Sequence, residues 1–447
     1  MKNILILGAG LVSRPIVRYL LEKTDRKVVV ASRTVSKAEA LVGDHPRGGA
    51  IPLIVDDEAA LDALVADAAV VVSLLPYEHH VRVAKMAIRH GIHMVTTSYL
   101  SPEMQALDGE AREAGVALLN ELGVDPGIDH MSAMEIIHGV QGAGGRVVHF
   151  SSCCGGLPAP DSNTNPWGYK FSWSPRGVVL AGRNAAKYVA DGEVVEIDGP
   201  DLFSNVWPYE VEDLGMFEIY PNRDSTQYVE LYGLEGISNM FRGTIRYPGW
   251  CRTLKAVADL GLLDLDERVW REGTTYRDVL QSILPRADGS LVERVASTLD
   301  MDPDDDVISR LEWAGLLSDR PIDDLTASPL DVFAARLLTI MPYLPGERDM
   351  IILRHQFVAE YPGRPTEEIV SLLVDYGVPG GDSSMSRTVS LPAAIATRML
   401  LEGTIRVTGV HIPVQPEIYV PVLAELGELG IAFREFRRSV LPDPFGE

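Results

Sequence analysis

Six short runs of aliphatic and β-branched residues, each followed by an amphipathic stretch, fill the first 125 residues of this chain. That rhythm constrains the fold more than any other feature. NILIL at 3–7, VVVAS at 28–32, IPLIVD at 51–56, AVVVSLL at 69–75, HMVTTSY at 93–99 and VALLNEL at 116–122 read as strands. Helices are predicted through Val17, Leu20 and Leu21, from Ser36 to Val42, around Ala59 to Leu64, and up to His90. Strands that are apolar throughout need cover on both faces, and strands alternating with helices need parallel crossovers. The expected architecture is a Rossmann-like, doubly wound parallel sheet.

The junction of the first strand and helix, Gly8-Ala9-Gly10-Leu11-Val12-Ser13, is a GxGxxG pattern with serine in the third glycine's place. Gly8 allows a tight turn, Gly10 lets the backbone approach a pyrophosphate, and the helix N-terminus offers N–H groups with partial positive charge. A lone GxGxxG is weak evidence, but here it stands in strand–turn–helix context. The second strand ends in Ser32-Arg33-Thr34, where an NAD enzyme carries Asp or Glu for the ribose hydroxyls. A carboxylate repels a 2′-phosphate and a guanidinium pairs with it, so the expected cofactor is NADP; the alternative is a plain surface arginine. Asp56, ending the third strand, fits either an adenine contact or a helix cap. Ligands lie beyond the carboxyl ends of strands in such sheets, so Ser73 to Tyr77 and Thr97-Ser98-Tyr99 should flank the nicotinamide half.

A chain of 447 residues exceeds one ordinary core, so two or three domains are expected. The formal charge of −23 disfavours nucleic acid and anionic lipid as partners. It also makes individual arginines informative if the ligand is an anion. Three cysteines, two of them adjacent, suit a reduced cytoplasmic setting, and none has zinc-site spacing, so no metal is expected. The apolar N-terminus is broken by Gly8, Gly10 and Arg14 and reads as a strand entering a turn rather than a signal peptide. No stretch approaches the roughly 20 apolar residues of a membrane span.

After GVDPGIDH at 123–130 the pattern changes. A helix from Met131 to Val140 is predicted, then a strand near 146–153, then a Gly/Pro/Ser-rich stretch from Cys154 to Gly177. VEIDG and YVELYG alternate as strands do; residues from about 250 to 340 read as helices, with DPDDD at 302–306 as a solvated loop. Strands return with DMIILRHQFVAEY and TEEIVSLLVDYG, and LPAAIATRMLLEG opens a last helical segment near 390. Trp167, Tyr169, Phe171 and Trp173 recur at period two, which in a strand places them on one face, as core or dimer surface, with Lys170 opposite and able to meet a substrate carboxylate. His79, His80 and His130 read as helix or packing residues.

GVDPGIDH at 123–130, CCGGLPAP at 153–160, NPWGYKFSWSPRG at 165–177, YPNRDST at 220–226 and RGTIRYPGW at 242–250 together resemble the saccharopine reductase family, the glutamate-forming, NADP-dependent saccharopine dehydrogenases. The resemblance spans essentially the whole chain. It implies an oxidoreductase interconverting saccharopine with L-glutamate and 2-aminoadipate 6-semialdehyde in lysine metabolism, by imine reduction with hydride transfer. It also implies a homodimer and three domains. Residues 1–125 with about 390–447 would hold the dinucleotide, 126–250 with about 345–390 would make substrate and dimer contacts, and 251–344 would be a helical domain closing the cleft. By the same resemblance Ser98, Tyr99, Asp125, Arg223, Thr244, Ile245 and Arg246 match substrate positions. Leu11, Val12, Ser13, Ser32, Arg33, Thr34, Asp56, Asp57, Leu75, Thr97, Ser98, Val124, Asp125, Pro126 and Ser174 match cofactor positions.

Saccharopine carries three carboxylates and a secondary amine, which suits Arg223 and Arg246 as bidentate clamps. The residues alone equally allow structural ion pairs, Arg223 with Asp224 for example. Asp125 and Tyr99 are candidates to carry or orient protons, Asp125 alternatively as counter-ion to an ammonium group. Cys154 is a further catalytic candidate, against the commoner role of a small buried side chain. A carboxynorspermidine- or homospermidine-type condensing enzyme is the alternative within the class, but a polycation calls for carboxylates where this chain has arginines. A dinucleotide-binding regulatory protein without turnover is the alternative outside it.

Overall fold

The computed structural model describes residues 2–173 and 175–440. The chain forms two compact units, one of residues 2–147, 360–365 and 373–436, the other of the intervening stretches and 437–440.

The first unit is built on strands β1 (Asn3–Leu7), β2 (Val28–Ser32), β3 (Gly48–Pro52), β4 (Ala68–Ser73), β5 (His93–Thr96) and β6 (Ala117–Leu119), with Gly409–His411 as a seventh. Their order is β3-β2-β1-β4-β5-β6 followed by Gly409–His411, and every pairing is parallel. Ile4 to Leu7 at its centre are buried, as strands covered on both faces must be.

One strand differs from expectation. The third forms over Gly48–Pro52, not 51–56, because it pairs residue for residue with β2 and the ladder stops where β2 stops, at Ser32 opposite Pro52. As the edge strand it is only half-buried, so two glycines serve where a central strand would need an apolar run. Ile54 to Asp56 therefore lie beyond the strand's end. The helix Ser384–Glu402 packs along the helix Ser13–Lys23. There Arg398 donates to Tyr19 Oη at 2.9 Å, and both Tyr19 and Arg398 reach Glu425. Three side chains far apart in sequence thus form one polar tie.

The second unit is built on the greater part of a nine-stranded mixed sheet in the order Trp207–Val211, Gly215–Pro221, Asn239–Arg246, Arg146–Pro158, Asp349–Glu360, Thr366–Tyr376 and Arg434–Val440. The strand Ala186–Ala190 branches from Asn239–Arg246 and pairs with Glu193–Ile197. The helices Trp250–Asp259, Tyr276–Ile283, Leu291–Leu299, Asp306–Trp313 and Pro329–Ile340 follow where helical text was read. Within DPDDD, Asp305 caps the fourth of these, accepting from Val307 N at 2.8 Å.

Other readings are corrected. YVELYG contains a helix, Gln227–Leu231, rather than a strand: Tyr228 and Tyr232 sit one turn apart with rings 5.5 Å from each other, a spacing that fits helix and strand periods alike. The aromatic run at 167–173 is an irregular loop. Trp167 and Tyr169 are nonetheless buried, both against Trp250. Lys170 is buried too and is paired with Glu347 and, at 2.8 Å, with Thr164 Oγ1, so its charge is already matched within the protein. The strand that begins at Arg146 runs on to Pro158, past the predicted end, and the helix predicted near 390 starts at Ser384.

Candidate active site

Above the carboxyl ends of β1, β2 and β4 the first unit opens a cleft of about 400 Å³. Gly8, Gly10, Ser32, Arg33, Thr34, Asp56 and Leu75 line it, all of them candidates from the sequence. A Cβ on Gly10 would meet nothing within 4 Å, so the backbone there is open to close approach. Leu11 and Val12, just ahead of the helix Ser13–Lys23, have backbone N–H groups with no acceptor in the described protein, while the Leu11 side chain is exposed. Unpaired donors at a helix mouth beside an open glycine fit the pyrophosphate of a dinucleotide. Ser13 is buried and closes the turn: its Oγ accepts from Gly10 N at 3.0 Å and donates to Gly8 O at 3.4 Å.

No carboxylate stands at the end of β2. Lys37, in the first turn of the helix Val35–Val42 that follows Arg33, also lines the cleft, and sequence reasoning missed it, although a cation just after the acid-free strand end was the available signal. Ile54, exposed on the loop after β3, adds an apolar wall, and Leu74, Pro76 and His79 complete the other side. Asp56 reaches the cleft and lies 3.3 Å from Arg82. Helix capping belongs to its neighbour: Asp57 accepts from Ala60 N at 3.0 Å and does not line the cleft. Asp57→Ala is therefore expected to cost about 1 kcal/mol of stability. Dinucleotide affinity should stay unchanged, which thermal denaturation and cofactor titration together would check.

Beyond β5, Thr97, Ser98 and Tyr99 lie half-buried in a loop. Tyr99 Oη donates to Asp125 Oδ1 at 3.1 Å, so the two proposed proton carriers are in contact. Asp125 sits in a tight turn flanked by buried Val124 and Pro126, where Gly123 N donates to Pro126 O at 2.9 Å. Gly127, at φ 146°, has no room for a Cβ against the Gly123 backbone, so glycine is required to close this turn. Glu121 braces the segment from below, accepting from Leu100 N at 2.8 Å and facing His130 Nε2 at 2.6 Å. His130 thus does polar bracing rather than plain packing.

In the second unit, Thr244 and Arg246 share one face of the strand Asn239–Arg246, and Ile245 points to the other, fully into the core. Any ligand contact of Ile245 is therefore through its backbone. Cys154 is buried directly opposite Thr244 on the adjoining strand. Arg246 is 5% exposed, with its guanidinium carbon 5.1, 5.7 and 5.9 Å from the ring centres of Tyr169, Trp250 and Tyr220. Its Nη1 donates to Ile245 O at 2.8 Å, its Nε has no acceptor, and no carboxylate among the described residues is within ion-pair distance. Glu218, opposite it in register, instead accepts from Gly249 N and Cys251 N at 3.0 and 2.6 Å, at the start of the helix Trp250–Asp259. A buried guanidinium without a counter-charge costs several kcal/mol, of which cation–π contacts offset about 2. An incoming carboxylate is the group that completes such a site.

Arg223 is placed differently. It is exposed, follows the strand Gly215–Pro221, and takes the left-handed conformation at φ 56°. Ser174 lies outside the described residues. Among the described residues no group of three metal-ligating side chains occurs, and no helix is long and apolar enough to cross a membrane.

Residues 4–119 match the family described as saccharopine dehydrogenase NADP binding domain, and residues 123–431 match the saccharopine dehydrogenase C-terminal domain. The chain is 41% identical to saccharopine dehydrogenase (NADP(+), L-glutamate-forming) of Schizosaccharomyces pombe, over 97% of this chain and 99% of the other. Identity to the protein of the same name from Saccharomyces cerevisiae is 42%, with the same coverage. The apo structure of saccharopine dehydrogenase (L-Glu forming) from Saccharomyces cerevisiae superposes with a TM-score of 0.89, covering 98% of this chain and 100% of that one. The glycine turn, the acid-free end of β2 and these matches in both parts of the chain lead to one conclusion: it belongs to the saccharopine dehydrogenase family.

Proposed function

We propose that the chain catalyses the NADP-dependent interconversion of saccharopine with L-glutamate and 2-aminoadipate 6-semialdehyde, a step of lysine metabolism. The observation that carries this reading is Arg246, a buried guanidinium ringed by aromatic side chains and lacking any acidic partner among the described residues. A polyamine substrate would leave that charge facing another cation, so an anionic amino acid fits better.

Bound NADPH supplies the hydride that reduces the carbon–nitrogen double bond joining the two halves of saccharopine. The remaining work falls to this chain's residues. Arg246 binds a substrate carboxylate, with Thr244 beside it on the same strand face. Arg223 serves as the second, solvent-side cation. Asp125, in contact with Tyr99 Oη, holds and moves the proton at the reacting nitrogen, with Tyr99 orienting its carboxylate. Cys154 stays a buried wall of the carboxylate site, since the reaction needs no covalent nucleophile. Arg33 and Lys37 take the 2′-phosphate at the far end of the cleft.

The first unit carries the dinucleotide and the second the substrate carboxylate, with the helical stretch 251–344 as the closing element. The chain works as a cytoplasmic homodimer. Its three buried thiols suit a reducing compartment. The aromatic group Tyr188, Trp207 and Phe241, with Trp207 exposed on the second sheet, offers a pairing surface.

Purified protein given NADPH, L-glutamate and 2-aminoadipate 6-semialdehyde should oxidise the cofactor, and diamine substrates should not support oxidation. Turnover with diamines alone would move the chain to the polyamine class. No turnover with either would leave a dinucleotide-binding protein without catalysis.

A further inference from the structure

His80 opens the helix His80–His90 and is buried, yet its ring is engaged at both nitrogens. Nδ1 lies 2.9 Å from Ser73 Oγ, at the end of β4. Nε2 lies 2.8 Å from Ser98 Oγ and 3.3 Å from Thr96 Oγ1, at and beyond the end of β5. Ser73 and Thr96 are themselves buried, whereas Ser98 is half-buried and next to Tyr99, whose hydroxyl holds Asp125. The residues just after Ser73, Leu74 to Pro76, line the dinucleotide cleft, as does His79. One imidazole therefore clasps the two strand ends that border the cofactor and substrate candidates of the first unit.

We propose that His80 is a positioning residue for the reaction assigned above, anchored on Ser73 and fixing the direction in which the Ser98 hydroxyl meets the ligand. The proposal rests on that reaction being the chain's activity. A neutral imidazole has one donor and one acceptor nitrogen, so in either tautomer Ser73 and Ser98 take opposite roles at the ring, and the Ser98 hydroxyl is held at Nε2 rather than rotating freely. Burial pushes the His80 pKa down to about 4, so the ring stays neutral across the working range and keeps one acceptor nitrogen for the clasp. An apolar packing residue would not need two hydroxyl partners on different strands. Three strand-end hydroxyls converging on one ring match the way supporting hydrogen bonds orient a ligand-facing group.

The two amide substitutions separate the ends of the ring. An asparagine side chain at this position can reach only the Ser73 side, whereas a glutamine can reach Ser98, so His80→Asn and His80→Gln are the informative pair. His80→Asn is expected to lower kcat for saccharopine oxidation by ~10–50-fold while the NADP dissociation constant moves by less than about 2-fold. His80→Gln should keep activity within about 3-fold of wild type. Combined with Ser98→Ala, His80→Asn should add no further loss, because its effect passes through that hydroxyl. Ser73→Ala, which only loosens the anchor, should show a smaller loss that likewise vanishes in the Ser98→Ala background. It supplies the same cycle if His80→Asn does not fold. Equal losses in the asparagine and glutamine variants, or a loss that persists without the Ser98 hydroxyl, would overturn the proposal. A wild-type protein that turns over neither direction would instead overturn the reaction itself, and the proposal with it.

Discussion

Arg246→Met is expected to raise the KM for saccharopine by ~10²–10³-fold and, against the usual trend for core substitutions, to leave the melting temperature unchanged or higher. The first effect follows from removing one partner of a desolvated, hydrogen-bonded charge pair, which costs about 2–5 kcal/mol of binding. The second follows from the empty protein. Without ligand, Arg246 is a charge buried among Tyr169, Tyr220 and Trp250 with an unpartnered Nε, and methionine lays a thioether against the same rings without that desolvation. Each kcal/mol recovered should appear as a rise of roughly 2–4 °C. Steady-state kinetics, a melting curve and an NADPH titration check the three parts, cofactor affinity being unchanged. A fall in melting temperature with KM intact would make Arg246 a pillar of the aromatic core and remove the main support for an anionic substrate.

Arg33→Asp is expected to weaken NADPH binding by ~10²–10³-fold and to strengthen NADH binding. Each charge-assisted hydrogen bond to a phosphate oxygen contributes about 1.5–3 kcal/mol net, and the new carboxylate both repels the 2′-phosphate and accepts from free ribose hydroxyls. Lys37 lines the same end of the cleft, so Lys37→Ala should reproduce about a tenth of that loss without any gain for NADH. Fluorescence titration with both dinucleotides reads the ratio directly. An NADP/NAD preference that stays put in the Asp variant would reduce Arg33 to a surface residue.

Local chemistry was legible in the sequence where neighbours in the chain decide it. The strand–glycine–helix entry over 3–23 and the acid-free SRT after β2 are read from short windows, and the cleft gathers their residues. β3 departs from the span its apolar run suggests because an edge strand needs only its partner's ladder, and that partner, β2, fixes where the pairing ends. YVELYG misled because tyrosines four apart satisfy both periods; Arg242, whose guanidinium lies 4.4 Å from the Tyr228 ring, helps decide the issue from another strand. Lys170 looked available to a ligand because Glu347, its partner, is 177 residues away. The aromatic surroundings of Arg246 come from separate segments, and no single window contains them. The double engagement of His80 was illegible for the same reason: its three hydroxyls end two different strands.

The seventh strand of the parallel sheet, Gly409–His411, lies nearly three hundred residues after β6, the strand it joins, as the pairing of Gly409 with Ala117 records. The helix Ser384–Glu402 that covers Ser13–Lys23 is equally late. During synthesis, then, the outer edge of β6 and one side of the first helix emerge unpaired, and they must wait while nearly all of the second unit is made. Nearest-neighbour contacts cannot nucleate that closure, so it belongs to the slow, aggregation-exposed phase of maturation.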